Sequence, residues 1–470
     1  MNLGMAWVVA LCLVAAATGA GALSQGAPIR GPLRVHPGNP RYFTDNSGRA
    51  ILLVGAHTWN NLQDMGETDP PAAFDFDAYL DFLARYGHNF IRLWRWELVS
   101  WHTTSHVPQP RTHFAAPHPW PRTGPGTALD GKPKFDLSRF DEGYFRRLRT
   151  RVDAARKRGI YVSVMLFEGW GMQFVPDAWK KHPFHPANNI NGLDTDAGGN
   201  GLEIHTLARP EVTHIQEAYV RKVIDTVGGL DNVLYEIGNE THPSSTEWQY
   251  HMIRFIHEVE KGKRKRHPVG MTFQFQGGSN RTLFDSPAEW VSPNPEAGAR
   301  DYRTNPPPAD GRKVVLSDTD HLWGIGGSAD WVWRTVLRGH HPLFMDPYQR
   351  DILEGGSFEQ WEPIRRALGV ALSLSRRLDL ASMAPQEAAA SSGYCLAKPG
   401  AEVVAYLPKG GEVSVDLSAA SGTLTVEWVH PVEGTVTRAP AVAGGSRVTL
   451  RAPLAGPAVL HLRKEVQPAT

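Results

Sequence analysis

Eight apolar runs of strand length alternate with longer segments between residues 50 and 348, and this alternation limits the possible folds more than any other feature. Two of the intervening segments, "FDAYLDFLARYG" and "VTHIQEAYVRKVIDTVGG", place apolar residues at helical spacing. Strands that alternate with helices are typical of α/β proteins with a parallel sheet. Eight such units predict a (β/α)₈ barrel, or TIM barrel. The runs span residues 50–59, 89–97, 160–170, 232–240, 268–276, 288–295, 313–321 and 341–348.

From about Ala388 the pattern changes to shorter runs in which apolar and polar residues alternate. Gly, Pro and Ser separate these runs, as is typical of antiparallel strands joined by tight turns. The sequence therefore predicts a small antiparallel β-sandwich domain over residues 388–465, after a barrel domain over residues 27–385. The runs are "EVVAYLP", "EVSVDLS", "GTLTVEWVHP", "SRVTLRAP" and "PAVLHLRK".

The first residues are typical of a secretory signal peptide. "MAWVVALCLVAAATGAGA" is an apolar segment that ends in small residues, with Ala20 and Ala22 at the positions of an A-x-A cleavage site. We expect a signal peptide over residues 1–22 and a secreted or periplasmic bacterial protein. An uncleaved anchor is the alternative, because the segment lacks Lys and Arg.

The net charge and the histidines bear on the possible partners. The formal net charge is +1, so the overall field attracts neither nucleic acid nor an anionic membrane. We expect no nucleic-acid partner and no membrane attachment after signal removal. The histidines lack a tight metal-ligand spacing, so no metal or cofactor is predicted. The oligomeric state stays open.

Acidic residues follow several of the predicted strands. The active sites of (β/α)₈ barrels lie at the carboxyl ends of the strands. Cleavage of a glycosidic bond needs two carboxyl groups there, one to protonate the leaving oxygen and one to attack carbon or activate water. The sequence therefore indicates a carbohydrate substrate. The acids at or just beyond strand ends are Glu168, Glu240, Asp318, Asp320 and Asp346.

Tryptophans are numerous at the same strand ends, and their flat apolar faces suit sugar rings. Packing inside the barrel is an equally good interpretation for Trp94 and Trp96, because Trp is often buried. The rim tryptophans are Trp59, Trp94, Trp96, Trp101, Trp120 and Trp170.

Two motifs carry a resemblance to known proteins. "YEIGNE" (residues 235–240) and "NFIRLW" (residues 89–94) resemble motifs of the large clan of retaining glycoside hydrolases that fold as (β/α)₈ barrels. More narrowly, "LLVGAHTWNNL", "HPFHPANNING" and the C-terminal sandwich resemble the apiosidase-like barrel family. Its members often carry a C-terminal domain named for collagen binding.

The resemblance implies roles for individual residues. Glu240 would be the general acid/base, Asn239 would contact the sugar 2-hydroxyl, and Arg92 would be the partner of the acidic site in the barrel floor. The clan usually has a glutamate nucleophile where this chain has Thr319, so Asp318 or Asp320 would have to replace it through an early strand end or a bulge. The predicted catalytic residues are Glu240, Asp318 and Asp320. The predicted substrate-binding residues are His57, Trp59, Arg92, Trp94, Glu168, Trp170, Asn189, Asn239, His242, His321 and Asp346.

Structural roles are the alternative for several of these residues. Asp318 and Asp320 are also good helix or turn caps, and Asp346 precedes a proline at a turn. Glu236 is expected to pair with Arg92. If neither strand-seven aspartate reaches the site, Asp346 or Glu168 would be the second carboxyl group. Otherwise the barrel would be a carbohydrate- or matrix-binding protein without turnover.

Overall fold

A closed barrel of eight parallel strands forms the centre of the chain. The computed structural model describes residues 28–103, 111–193, 198–349, 352–353 and 356–464. Each strand pairs with its neighbour in sequence, and β8 pairs with β1, which confirms the predicted (β/α)₈ fold. The strands are β1 Gly55–His57, β2 Phe90–Leu93, β3 Tyr161–Glu168, β4 Val233–Asn239, β5 Val269–Thr272, β6 Trp290–Ser292, β7 Val314–Asp318 and β8 His341–Met345.

Helices surround the barrel and bury one apolar face each. In the first of them, Asp75 caps the N-terminus by accepting a hydrogen bond from Ala78 N, and Tyr79, Leu80 and Leu83 pack inward. The helices are α1 Phe76–Arg85, α2 Glu142–Lys157, α3 Trp170–Phe174, α4 Pro210–Val227, α5 Thr246–Lys261, α6 Asn280–Asp285, α7 Thr319–Leu322, α8 Ala329–Leu337 and α9 Glu362–Ser375. Between β6 and β7, residues 293–313 form an irregular connection instead of a helix.

The strand register brings the carboxyl ends of the central strands together. Glu168 of β3 lies beside Asn239 of β4, and Met345 of β8 lies beside His57 of β1. All residues of β3 and β4 are buried, as expected for strands covered on both faces. Polar side chains at these ends therefore converge on one edge of the barrel.

The connections after β1 and β2 add antiparallel strands above the barrel. Asp64–Gly66, which follows β1, forms a three-stranded sheet with Ser100–Thr103 and Arg111–Ala116, which follow β2. Arg122–Thr127 pairs with Pro133–Phe135 in the same connection after β2. Met65 and Trp101 in the three-stranded sheet are buried. The two connections therefore form part of the wall around the strand ends.

The C-terminal domain is an antiparallel β-sandwich, as predicted. Its strands are β9 Ala384–Pro385, β10 Cys395–Lys398, β11 Glu402–Leu407, β12 Glu412–Asp416, β13 Thr423–Val429, β14 Val436–Ala443, β15 Arg447–Arg451 and β16 Ala458–Lys464. The large sheet has the order β9-β10-β11-β16-β13-β14, and β12 pairs with β15 in a second sheet. Val413 and Val415 of the small sheet pack with Leu424 and Leu460 of the large sheet in a separate apolar core.

Helix α8 connects the barrel to the sandwich through polar and aromatic contacts. Trp333 Nε1 donates a hydrogen bond to Pro431 O at 2.8 Å, and Tyr406 Oη donates to Asp330 Oδ1 at 3.0 Å. The predicted signal peptide lies outside the described residues. None of the helices in the described ranges has the length and apolar character needed to cross a membrane.

Candidate active site

Arg92 of β2 organises a buried cluster of acidic side chains at the barrel centre. Its guanidinium binds Glu236 through two nitrogens at 2.6 and 2.9 Å, as predicted for this pair. It also donates to Asp318 at 2.8 Å, to Asp320 at 3.2 Å and to Asn239 Oδ1 at 2.8 Å. These carboxylates hold the pKa of Arg92 well above its usual range despite the opposing effect of burial. One guanidinium carries a single positive charge, so the acids around it also repel one another, and this repulsion opposes the ionisation of all of them together.

Asp318 is the last residue of β7 and is held on both carboxylate oxygens. Oδ1 accepts hydrogen bonds from His57 Nε2 at 3.2 Å and from Asp320 N at 3.0 Å, and Oδ2 accepts from Arg92 at 2.8 Å. The bond to Asp320 N caps α7. Burial opposes ionisation, but His57 and Arg92 together lower the pKa of Asp318 below its usual range. Asp318 is therefore an ionised carboxylate with a hydrogen bond to each of its oxygens.

Asp320 lies in the first turn of α7 and lines the cavity. β7 ends at Asp318 and the helix begins at Thr319, so the early strand end required for an aspartate at this site is present. Thr319 itself is buried against β8, where its Oγ1 accepts a hydrogen bond from Met345 N at 2.8 Å. Burial raises the pKa of Asp320 to about 6, with a further rise from the charge on Asp318 and an opposing effect of Arg92.

Glu240 follows β4 directly and has a left-handed backbone with φ of 45°. Few non-glycine residues adopt this conformation, and such strain concentrates at functional sites. Glu240 N donates to Thr272 Oγ1 at 3.3 Å, and Glu240 O accepts from Gln173 Nε2 at 2.7 Å. Burial, followed by the charge on Asp320, raises the pKa of Glu240 well above its usual range. Burial and the charge on Asp320 therefore both favour the protonated form of Glu240.

Asn239 and His321 lie between these two acids. Asn239 Oδ1 accepts hydrogen bonds from Arg92 at 2.8 Å and from His321 Nε2 at 3.0 Å. These two bonds fix the orientation of the amide, so that Nδ2 points away from Arg92 and His321. His321 Nδ1 bonds Ser292 Oγ at 2.7 Å. Burial and the Arg92 charge lower the pKa of His321 to about 3, so the ring is neutral. Asn239 and His321 both line the cavity.

The cavity above these residues has a volume of about 710 Å³ and an aromatic wall. Trp59 is at the centre of this wall, with ring centroids 5.6 Å from Trp94, 5.2 Å from Trp101 and 5.5 Å from Trp170. Trp94 therefore serves both barrel packing and the cavity wall, whereas Trp96 is packed behind Trp59 and does not line the cavity. The volume lies in the range of small-ligand sites.

Three predicted site residues support the cavity from below without lining it. Arg92 and His57 hold Asp318, and the His57 ring stacks on Trp94 with centroids 5.4 Å apart. Glu168 accepts a hydrogen bond from Gly171 N at 3.0 Å. Burial raises the pKa of Glu168 to about 8, so this carboxyl group favours its protonated form at neutral pH.

Neighbouring groups engage three other predicted substrate-contact residues, and none of the three lines the cavity. Asn189 Nδ2 donates to backbone carbonyls of its own loop, including His185 O at 2.9 Å. His242 Nε2 bonds Leu202 O at 2.9 Å. Asp346 forms a fully buried, two-nitrogen ion pair with Arg365 at 2.6 and 2.8 Å. Asp346 therefore has the structural role that was the alternative for this residue.

Several cavity residues were not predicted from the sequence. Arg303 and Trp323 lie on connections without periodicity, after β6 and in the loop that follows α7. Trp361 precedes α9, far in sequence from the recognised motifs. A tryptophan in a Gly-rich loop after a barrel strand was the only signal for Trp323. Within the described ranges, no group of three or more His, Cys, Asp or Glu residues is arranged to hold a metal ion.

Comparison with known proteins places this architecture among solved structures. A family model described as a domain of unknown function (DUF6298) matches residues 114–275, about a third of the chain. No curated protein matches the sequence. A solved structure described as a glycoside hydrolase has a TM-score of 0.61 at 12% identity and covers 94% of this chain and 99% of its own. A glycoside hydrolase family 5 protein from Bacteroides vulgatus ATCC 8482 has a TM-score of 0.61 at 13% identity, with 93% and 95% covered. At this identity the likeness establishes a shared fold.

Proposed function

We propose that the chain is a glycoside hydrolase. The observation that carries the proposal is the pair Glu240 and Asp320, two carboxyl groups that line one aromatic cavity with pKa values raised to different extents. Acid/base assignments in enzymes of this kind follow from environments that separate the two pKa values. The solved glycoside hydrolases with the same fold support the proposal.

In the proposed mechanism Glu240 donates its proton to the glycosidic oxygen while ionised Asp320 attacks the anomeric carbon. The carbon–oxygen bond breaks, the leaving group departs protonated, and an ester links Asp320 to the sugar. Glu240, now a carboxylate, takes a proton from water, and the hydroxide attacks the anomeric carbon and releases Asp320. The configuration is thereby retained. Asp318 is the less suitable nucleophile, because both of its oxygens are already engaged.

Two neighbours support this chemistry. Asn239 is fixed by Arg92 and His321 so that its Nδ2 can donate to a sugar hydroxyl, in agreement with the role that the resemblance implies. Arg92 stays bound to Glu236 and Asp318 and donates only one longer bond to Asp320. It therefore stabilises the nucleophile as an anion without occupying both of its oxygens.

We also propose membership of the apiosidase-like barrel family, export through the N-terminal segment, and a glycan- or matrix-binding role for the C-terminal sandwich. These proposals rest on the sequence resemblance, on the signal-like residues 5–22 and on the separate core of the sandwich.

Hydrolysis of a panel of aryl glycosides and polysaccharide fragments by the purified protein tests the proposed function. We expect sugar release, and proton NMR of the first product should show the substrate's anomeric configuration. An inverted configuration would contradict the ester intermediate and would indicate that water attacks the anomeric carbon directly. A protein that is inert across the panel but retained on a polysaccharide affinity gel would be a binding protein.

The rate of hydrolysis is expected to depend on pH with two limbs. Asp320 must be ionised, so kcat/KM should fall as the pH drops through about 6. Glu240 must be protonated, so kcat/KM should also fall at alkaline pH, above the raised pKa of Glu240. Because the two carboxyl groups interact, the apparent pKa values that the two limbs give describe the pair and not the individual residues. A profile that stays flat from pH 4 to 7 would contradict the assignment of Asp320.

A further inference from the structure

Arg303 is the only lysine or arginine that lines the cavity among the residues the structure describes. It lies on the irregular connection over residues 293–313, and its side chain is 41% exposed. A ligand that enters the cavity from solvent can therefore reach the guanidinium.

Asp301 holds one edge of this guanidinium in place. Arg303 Nε donates to Asp301 Oδ1 at 3.0 Å and Oδ2 at 3.2 Å, and Arg303 N donates to Oδ1 at 2.8 Å. The two terminal nitrogens of Arg303 donate to no group in the described part of the chain. A guanidinium is a rigid planar fork, so fixing the Nε edge also fixes the direction of the terminal nitrogens. Such a preorganised pair of donors is suited to an oxyanion.

We propose that the substrate carries an anionic oxygen group on a sugar ring, and that Arg303 binds this group through its terminal nitrogens. A carboxylate of a uronic acid and a sulfate ester share this chemistry. The proposal rests on the proposed glycoside hydrolase function and specifies the substrate class of the same cavity. Neutral sugars would contact the aromatic wall but would offer no oxyanion to the terminal nitrogens of Arg303.

Matched pairs of glycans test the proposal. A uronate-containing polysaccharide is compared with its carboxyl-reduced form, and a sulfated polysaccharide with its desulfated form, so that linkage and configuration stay constant. We expect kcat/KM for one anionic form to exceed that for its neutral partner by about tenfold or more, as is typical of a charge-assisted bidentate contact. In Arg303→Met this preference should disappear.

Arg281→Met is the control, because Arg281 is 88% exposed on α6, does not line the cavity, and its substitution removes the same charge. It should keep the preference. The pair that shows the effect identifies carboxylate or sulfate as the group that Arg303 binds. Equal rates within both pairs, or a preference that survives in Arg303→Met, would overturn the proposal.

Failure of the proposed function itself gives a different result. If no glycan is hydrolysed, affinity electrophoresis of the wild-type protein in gels that contain the same four polysaccharides still measures binding. Stronger retardation by an anionic form that is lost in Arg303→Met and kept in Arg281→Met would support the anionic ligand. Equal retardation by the anionic and neutral forms would reject it.

Discussion

Replacing Asp320 by Asn should reduce hydrolysis by about 10⁴-fold or more, as expected when the nucleophile of a covalent mechanism is removed. Glu240→Gln should reduce it by about 10²- to 10⁴-fold, with the smaller loss on aryl glycosides whose leaving group needs no protonation. Both substitutions keep the side-chain volume, so the fold should persist. The measurement is kcat/KM on the best substrate of the panel, with circular dichroism to verify folding.

Asp318→Asn is the matched comparison. Asp318 and Asp320 are two residues apart and both contact Arg92, but only Asp320 lines the cavity. We expect Asp318→Asn to destabilise the protein, because it replaces an anion held by Arg92 and His57 with a neutral amide. The folded fraction should retain far more activity than Asp320→Asn. The reverse order of activities would assign the nucleophile to Asp318.

Replacing Arg92 by Met should lower the free energy of unfolding by about 3 to 5 kcal/mol, which is typical of a buried ion pair that loses one partner. The loss is large because Glu236 and Asp318 would stay buried without their cation. Chemical denaturation monitored by fluorescence measures this loss. Arg281→Met removes an arginine that is 88% exposed and should change stability by less than about 0.5 kcal/mol.

The loss caused by Arg92→Met should shrink as the pH falls. In the wild type the pKa of Asp318 is lowered partly by Arg92, so the stability contributed by this carboxylate is present above its unfolded pKa and is lost in acid. The variant lacks the Arg92 part of that contribution at every pH, so the two proteins become more alike in acid. Because the contribution is lost only below the unfolded pKa of an aspartate, about 4, the comparison is made at pH 7 and at about pH 2. A loss of stability that is the same at both pH values would show that lost packing, and not charge, is its cause.

The barrel and the position of Glu240 could be predicted because they depend on local patterns. Each strand is an apolar run, and parallel strands bring their carboxyl ends together. Glu240 and Asn239 come directly after such a run, so the fold alone places them at the cavity. The β-sandwich could be predicted in the same way, from the alternation of apolar and polar residues along its strands.

Which of Asp318 and Asp320 lines the cavity could not be predicted, because it depends on where a strand ends. β7 ends at Asp318, whose side chain caps the next helix, and this cap turns Asp320 toward the cavity. Apolar periodicity fixes the course of a strand but not its last residue. A single residue more in β7 would have changed which side chain faces inward.

The hydrogen-bond partners of polar residues on loops could not be predicted either. The sequence shows that Asn189 and Asp346 can form hydrogen bonds, but their partners are not visible in it. Asn189 is engaged by carbonyls of its own loop, and Asp346 pairs with Arg365 on α9, nineteen residues further along the chain. Arg303 and Trp361 were missed for the converse reason, since only the folding of irregular connections brings them to the cavity.

The early end of β7 also affects how similar sites can be found in other sequences. Because Thr319 is turned toward β8, a glutamate introduced there would displace the hydroxyl that binds Met345 N and would not reach the cavity. A search for glutamate at the usual position after strand seven would therefore overlook this arrangement. The pattern to search for is Asp-x-Asp at the end of an apolar strand, with the first aspartate as the helix cap and the second as the proposed nucleophile. Together with Asn-Glu after strand four and an arginine in strand two, this pattern offers a sequence signature for barrels of the same design.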